Sequence, residues 1–345
     1  MKKGAILHLL GWDNKFVPQF REIIRENFPG GRHEFIFYGE CPNEPGLVSV
    51  DTQVYPKLLK HFFSLSIRMN RAEKIILHGL FNNHLFYILS VQPWLLRKCY
   101  WVMWGGDLYV HEKPINNWRA KKDEFFRRFI IGRVGGLISQ IKGDFELAKR
   151  WYGANGKYYE CFMYPSNLYY DHKLAPKRSD SINIQVGNSA DPSNCHIEVL
   201  NRLSFLKDQN VKIYAPLSYG DQSYAKKVVE HGQKIFGDKF VPMMTFIAFD
   251  QYLAFMSDID IAIFNHQRQQ AMGNITTLIG LGKKVYLRRG ITSWRFLEDM
   301  GAVVFDIDNF DIKLQEDGVA DRNKKIISNY FSMRNLLQQL RGVFQ

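Results

Sequence analysis

The chain has 345 residues, 46% hydrophobic and 23% charged, with a net charge of +12. That length exceeds one ordinary core and predicts two domains, and the globular composition excludes a disordered chain. The positive charge favours anionic partners, but no helix-turn-helix spacing, zinc finger or RNA-binding aromatic signature accompanies it, so nucleic acid is not an expected partner.

The opening run carries apolar residues broken by His8, too few for a signal peptide, and reads as a strand near 4–9. Further strands are expected near 33–38, 74–78, 99–104, 135–139 and 159–162, with helices at 16–27, 56–70, 118–131 and 143–152. A polar, basic stretch with two prolines, 165–181, marks a boundary. Beyond it, strands near 182–186, 211–215, 241–244, 260–264, 284–287 and 302–305 alternate with helices near 194–208, 221–236, 250–257, 274–281 and 293–300. One amphipathic helix, 322–345, closes the chain and is expected to pack back across the first domain. No run of about 18 apolar residues occurs, so nothing is expected to span a bilayer. Cys41, Cys99, Cys161 and Cys195 are far apart, with no Cys-x-x-Cys pair. A structural zinc site is therefore not expected, and a reducing cytoplasm is the simplest setting.

Strands alternating with helices make parallel sheets covered on both faces. The fold class is α/β, with two Rossmann-like doubly wound domains, 1–165 and 180–320, facing a central cleft. Ligands of such sheets bind outside the carboxyl ends of the strands. Two strand ends in the second domain carry the strongest chemical signal. Residues 183–191 read Asn-Ile-Gln-Val-Gly-Asn-Ser-Ala-Asp, and 264–277 read Phe-Asn-His-Gln-Arg-Gln-Gln-Ala-Met-Gly-Asn-Ile-Thr-Thr. Each is an apolar strand entering a small, polar, glycine-containing loop and then a helix. Such a junction offers backbone N–H groups and a helix N-terminus to a phosphate. An ordinary strand-to-helix turn capped by Asp191 or Ser193 is the structural alternative.

Four motifs occur in order: Leu-His-Gly-Leu-Phe-Asn (77–82), Trp-Val-Met-Trp-Gly-Gly-Asp-Leu-Tyr (101–109), Val-Gly-Asn-Ser-Ala-Asp-Pro-Ser-Asn-Cys-His-Ile (186–197) and Arg-Gln-Gln-Ala-Met-Gly-Asn (268–274). On these the chain resembles glycosyltransferase family 56, the 4-acetamido-4,6-dideoxygalactose transferases of enterobacterial common antigen synthesis, or an O-antigen relative. The resemblance implies the GT-B architecture, with the donor nucleotide on the second domain and the acceptor on the first. It implies a dTDP-sugar donor, a polyprenyl-diphosphate-linked saccharide acceptor, and a peripheral position on the cytoplasmic face of the bacterial inner membrane. It leaves the sugar open.

Donor contacts are then expected from Gly187, Asn188 and Ser189 and from His266, Arg268, Gln269, Gln270, Gly273 and Asn274. Arg268 can neutralise phosphate in a two-pronged contact, the glutamines can bond sugar substituents, and Gly273 and Asn274 lead a helix whose dipole favours an anion. Tyr214 and Tyr219 end the next strand and are candidates to stack on the base or to pack beneath the loop. An inverting transfer needs a base for the acceptor hydroxyl. Asp107, His78 and Asp13, each at or past a first-domain strand end, are the candidates. Capping by Asp107 and simple burial of His78 are the alternatives. Asp258-Ile259-Asp260 imitates a metal motif but leads into a buried strand, so no metal and no cofactor is expected. Residues 118–133 mix bulky apolar and basic side chains. Trp118, Phe125, Phe126, Phe129 and Ile130 fall on one arc and Lys121, Arg127 and Arg128 face away. Trp118, Arg119, Lys122, Phe126 and Arg127 are the candidate contacts to an anionic membrane surface, with a core helix as the alternative.

Overall fold

The computed structural model describes residues 4–13, 16–30, 32–41, 48–171, 177 and 180–345. Residues 1–3 of the opening run, and 172–176, 178 and 179 of the boundary stretch, lie outside the described residues. The chain forms two compact units, Met1–Leu168 with Met333–Gln345, and Tyr169–Ser332.

The first unit contains β1 (Ile6–Gly11), α1 (Val17–Asn27), β2 (His33–Tyr38), β3 (Thr52–Tyr55), α2 (Phe62–Arg71), β4 (Lys74–His78), α3 (Asn83–Ser90), β5 (Cys99–Val102), α4 (Trp118–Ile131), β6 (Gly136–Ser139), α5 (Lys142–Tyr152) and β7 (Lys157–Glu160). Its strands are all parallel, in the order β3-β2-β1-β4-β5-β6-β7. The second unit contains β8 (Ile182–Val186), α6 (His196–Arg202), β9 (Val211–Pro216), α7 (Gln222–Phe236), β10 (Phe240–Met243), α8 (Phe249–Asp258), β11 (Ile261–Phe264), α9 (Met272–Gly280), β12 (Lys284–Leu287), α10 (Thr292–Asp299), β13 (Phe305–Asp306) and α11 (Asp317–Tyr330). Its order is β10-β9-β8-β11-β12-β13, again parallel. The central strands β4 and β11 are buried along their whole length, as strands covered on both faces must be. In each sheet the strands run outward from the first, then resume on its other side. The reversal falls between β1 and β4 and between β8 and β11, which is where an open α/β sheet leaves room for a ligand.

Two expectations need correction. Strand β3 was not anticipated: Thr-Gln-Val-Tyr is short and half polar, and pairing with β2 is what makes it a strand. The single closing helix is two. α11 stops at Phe331, and α12 (Met333–Phe344) packs in the first unit. There the Lys74 ammonium donates to the Val343 carbonyl at 2.8 Å, Gln339 accepts from the Phe162 amide at 3.1 Å, and the Phe344 ring meets His33 at 4.6 Å. The apolar arcs of α11 and α12 serve different cores, so one straight helix cannot bury both.

A line of polar side chains crosses the first sheet. His33 Nδ1 lies 2.9 Å from His8 Nε2, His8 Nδ1 lies 3.0 Å from His78 Nε2, and His78 Nδ1 lies 2.7 Å from the Tyr164 hydroxyl, which accepts from Trp104 Nε1 at 3.0 Å. An indole nitrogen can only donate. The direction that keeps every proton bonded therefore runs from Trp104 to Tyr164, His78, His8 and His33, with all three imidazoles neutral. Burial enforces neutrality: it pushes His78 down to about 3 and, with the charge of Arg32, His33 down to about 4, and it holds His8 well below its usual value. These histidines bind protons only after unfolding, so stability is complete above about pH 6.5 and is lost as pH falls toward their folded values. Asp107, whose pKa burial raises, titrates in the opposite sense. Urea unfolding at pH 7.5 and 5.5 should show the first unit weakening by roughly 1 kcal/mol per pH unit or more. Equal stability at both values would contradict the neutral chain.

Candidate functional site

In the second unit three adjacent strands, β9, β8 and β11, deliver three loops to one place. Gly187 follows β8 with φ of 68°, in the left-handed region that glycine alone adopts readily. A Cβ there would stand 2.4 Å from His196 Nε2 and 2.7 Å from Asn194 Oδ1. Asn194 is the tie: its Oδ1 accepts from the Asn188 amide at 3.0 Å and pairs with His266 Nε2 at 2.8 Å. The loop after β11 is joined again where Ser193 Oγ meets Gln270 Oε1 at 2.7 Å and where Arg268 approaches Asp191 at 3.8 Å. The loop after β9 is joined by backbone bonds, Ala190 N–H to Tyr219 O at 2.7 Å and Asp221 N–H to Ala190 O at 3.1 Å, and by Asn188 Nδ2 donating to the Tyr219 hydroxyl at 2.9 Å.

Two helix entries open on this cluster without a side-chain cap. Cys195 before α6 and Ala271 before α9 both sit at positive φ, 52° and 58°, although neither is glycine. Each costs on the order of 1–2 kcal/mol, a strain typical of ligand-holding turns. Several buried polar atoms here have no hydrogen-bond partner: Asn188 Oδ1, both ring nitrogens of His196, Asn265 Nδ2 and His266 Nδ1. Native interiors leave few such atoms, and a cluster of them signals a missing ligand or water. Burial pushes His266 down to about 3, helped by Arg268, and His196 down to about 4, so both are neutral. Asp191 is lowered: burial opposes ionisation, but hydrogen bonds from Ser193 and the charge of Arg268 outweigh it.

The structure thus brings together Gly187, Asn188, Ser189, Tyr219, His266, Arg268, Gln269 and Gln270. Gly273 and Asn274 stand in the first turn of α9, which starts two residues earlier than expected because Ala271 makes the turn. Tyr214 is not with them. It lies inside β9, its ring 5.4 Å from Phe255 of α8. Asn194, His196 and Asn265 join the cluster with no sign in the sequence pattern that sets them apart from an ordinary strand-to-helix turn. Asp260 stands at the opposite end of the sheet, held by Lys177 and by the Asn183 amide. Among the described residues no cluster of three His, Cys, Asp or Glu could hold a metal.

Of the three proposed bases, two are corrected. Asp107 is buried, and its carboxylate accepts from the Leu80 amide at 2.9 Å, Trp101 Nε1 at 2.7 Å and the Trp104 amide at 3.0 Å. It clamps two turns and presents no open oxygen. His78 is buried in the polar line with both nitrogens engaged. Asp13, just past β1, is half-buried and accepts from the Phe16 amide at 3.2 Å.

On α4 the buried stripe is Arg127, Ile130 and Ile131. Arg127 points inward over Phe86, and Phe126 packs against Tyr87, so neither faces out as expected. Trp118 and Phe125 are exposed at 66% and 65%, with Arg119 and Lys122 over the Trp118 ring. Helix α2 and the helical turn before it (Leu58–His61) carry a further exposed apolar set with no role assigned from the sequence: Leu59, Phe63 and Ile67, with Phe63 80% exposed. No helix among the described residues is long and apolar enough to cross a membrane.

A model of the family described as 4-alpha-L-fucosyltransferase, glycosyl transferase group 56, matches residues 23–337. Solved structures share the fold at low identity. A glycosyltransferase from Rickettsia africae aligns with 100% of this chain and 98% of its own, at 11% identity and a TM-score of 0.65. Sucrose-phosphate synthase from Thermosynechococcus elongatus aligns over 99% and 98%, at 10% identity and 0.65. WaaG, a glycosyltransferase involved in lipopolysaccharide biosynthesis, aligns over 99% and 98%, at 11% and 0.60.

Gly187→Ala should destabilise the second unit by about 2 kcal/mol and disorganise the turn. Thermal unfolding and nucleotide binding measured together would check this. Unchanged values for both would remove Gly187 from the site.

Proposed function

The chain belongs to glycosyltransferase family 56 and is a glycosyltransferase of the GT-B fold, and we propose that it moves a 4-amino-4,6-dideoxyhexosyl unit from a dTDP-sugar to a polyprenyl-diphosphate-linked saccharide in cell-surface polysaccharide synthesis. The observation that carries the donor half is the three-loop cluster at the β8/β11 switch point, with its strained turns and unpartnered buried polar atoms. The diphosphate is met by Arg268 and by the uncapped N–H groups of α9, in place of a metal ion. The neutral His266 and the amides of Asn188 and Gln270 bond the sugar and its substituents.

In the first unit Asp13 takes the proton of the acceptor hydroxyl as that oxygen attacks the anomeric carbon. The bond from that carbon to the diphosphate oxygen breaks, and dTDP leaves with the charge. Of the three strand-end candidates, Asp13 is the one that is not buried.

A lipid-linked acceptor requires a foothold on the bilayer, here the cytoplasmic face of the inner membrane. What supports it is the excess of cations over residues 57–133, fourteen Lys and Arg against five Asp and Glu, with Lys74 and Arg127 of these buried, together with the exposed Phe63, Ile67, Trp118 and Phe125. Apolar anchors among cations fit an anionic lipid surface.

Three measurements test this reading. Calorimetry of nucleoside diphosphates in EDTA should show binding with a preference for dTDP; binding that appears only with Mg²⁺ would contradict the metal-free site. Asp13→Asn should lower kcat about 10²–10⁴-fold while dTDP affinity stays, and a normal kcat would exclude Asp13 as base. Phe63→Ser combined with Trp118→Ser should weaken binding to phosphatidylglycerol vesicles about tenfold or more. Undiminished binding would place the foothold elsewhere.

A further inference from the structure

The switch point of the first sheet lies between β1 and β4. Past β1 come Trp12 and Asp13; past β4 comes Phe81, a large apolar residue 55% exposed at a place where the fold has no reason to show one. The Phe81 ring lies over two glycines. A Cβ at Gly79, whose φ is 82°, would stand 2.7 Å from the ring, and a Cβ at Gly106 would stand 3.5 Å from it. Trp104 borders the ring edge-on with centroids 6.0 Å apart, and Phe16 in turn borders Trp104 at 4.9 Å. Phe16 donates its amide to Asp13, so the Phe81 ring and the carboxylate are linked through Trp104 and Phe16.

Asp107 fixes this arrangement. Its carboxylate holds the Leu80 amide, next to Phe81, and the Trp104 amide, and so locks the β4 and β5 turns together. Tyr164 accepts from the Trp104 indole and holds that ring's other edge. The Phe81 ring thus rests against two bare glycines and stays 55% exposed.

We infer that the exposed Phe81 ring, with Trp104 as its wall, is a stacking platform for a sugar ring of the acceptor, linked to Asp13 in this way. An aromatic face carries partial negative charge and pairs with the partly positive C–H face of a pyranose. The platform reads ring shape and excludes water without using charge, while Asp13 meets the hydroxyl. Asp107 acts as a positioning residue. The inference rests on the transferase reading for the name of its ligand, and its test separates the two.

The variants are Phe81→Ala and Phe81→Tyr, whose exposed side chain leaves folding intact, as a melting curve would verify. The probes are farnesyl-diphosphate-linked disaccharides that differ only in the terminal sugar. Phe81→Ala should raise acceptor KM about tenfold with donor KM and dTDP affinity unchanged, and Phe81→Tyr should restore it. An acceptor KM equal to wild type, or an equal loss for donor and acceptor, overturns the platform. If the chain transfers no sugar, the transferase reading fails first. The platform is then read directly by tryptophan fluorescence on titrating the same disaccharides. Tighter binding by wild type than by Phe81→Ala supports it; no difference overturns it. Vesicle binding should be the same in both chains. If Phe81→Ala loses it, the ring is a lipid anchor and the inference falls.

Discussion

One side-chain oxygen, Asn194 Oδ1, holds the second unit's ligand loops in register. It accepts the Asn188 amide of its own loop and meets His266 from the next strand. The contact fixes the imidazole's tautomer: Nε2 carries the proton, so Nδ1 is a buried lone pair with no partner in the protein. A protonated His266 would bring a second cation beside Arg268 and lose that acceptor. Burial prevents it. The same oxygen explains Gly187, because any side chain there would displace it. A turn, a tautomer and an acceptor site follow from one amide.

The first unit solves a different problem. Its strand-end acid, Asp107, has a sequence context that reads as catalytic, after Trp-Gly-Gly at the end of a strand. Three N–H donors converge on it instead, and removing such a carboxylate would strand them in the interior. The histidine at the end of β4 is likewise consumed by the line from Trp104 to His33. Asp107 braces the turns that carry Phe81 and Trp104, and His78 is tied to His8 on β1, the strand that leads to the half-buried Asp13. Catalytic-looking residues here brace the strand ends from within.

The sheets were legible because buried parallel strands are short apolar runs between helices, and β1, β4, β8, β11 and β12 all announce themselves that way. β3 did not, since half its residues are polar and its partner decides its state. The helix pattern failed on α4, where bulk suggested Phe126 as outward. A stripe at positions 127, 130 and 131 turns inward, with an arginine stem over Phe86. Positive φ at Cys195 and Ala271 has no compositional trace, so the two strained helix entries could not be foreseen. The break at Phe331 depends on which core each half meets, which is long-range information.

The proposed donor loops were easier to find than the proposed acceptor platform for a chemical reason. Phosphate is recognised by backbone N–H groups, and bringing backbone close to an anion demands Gly, Ser and Asn after a strand. That demand is written in the sequence at 187–189 and 268–274. A sugar face is recognised by an aromatic ring, and this chain has 26 Phe, 17 Tyr and 7 Trp, many of them buried in cores. Nothing in composition separates Phe81 from Phe86, which is fully buried five positions later. Two bare glycines under the ring make the difference, and they become informative only when the β4 and β5 turns are seen side by side.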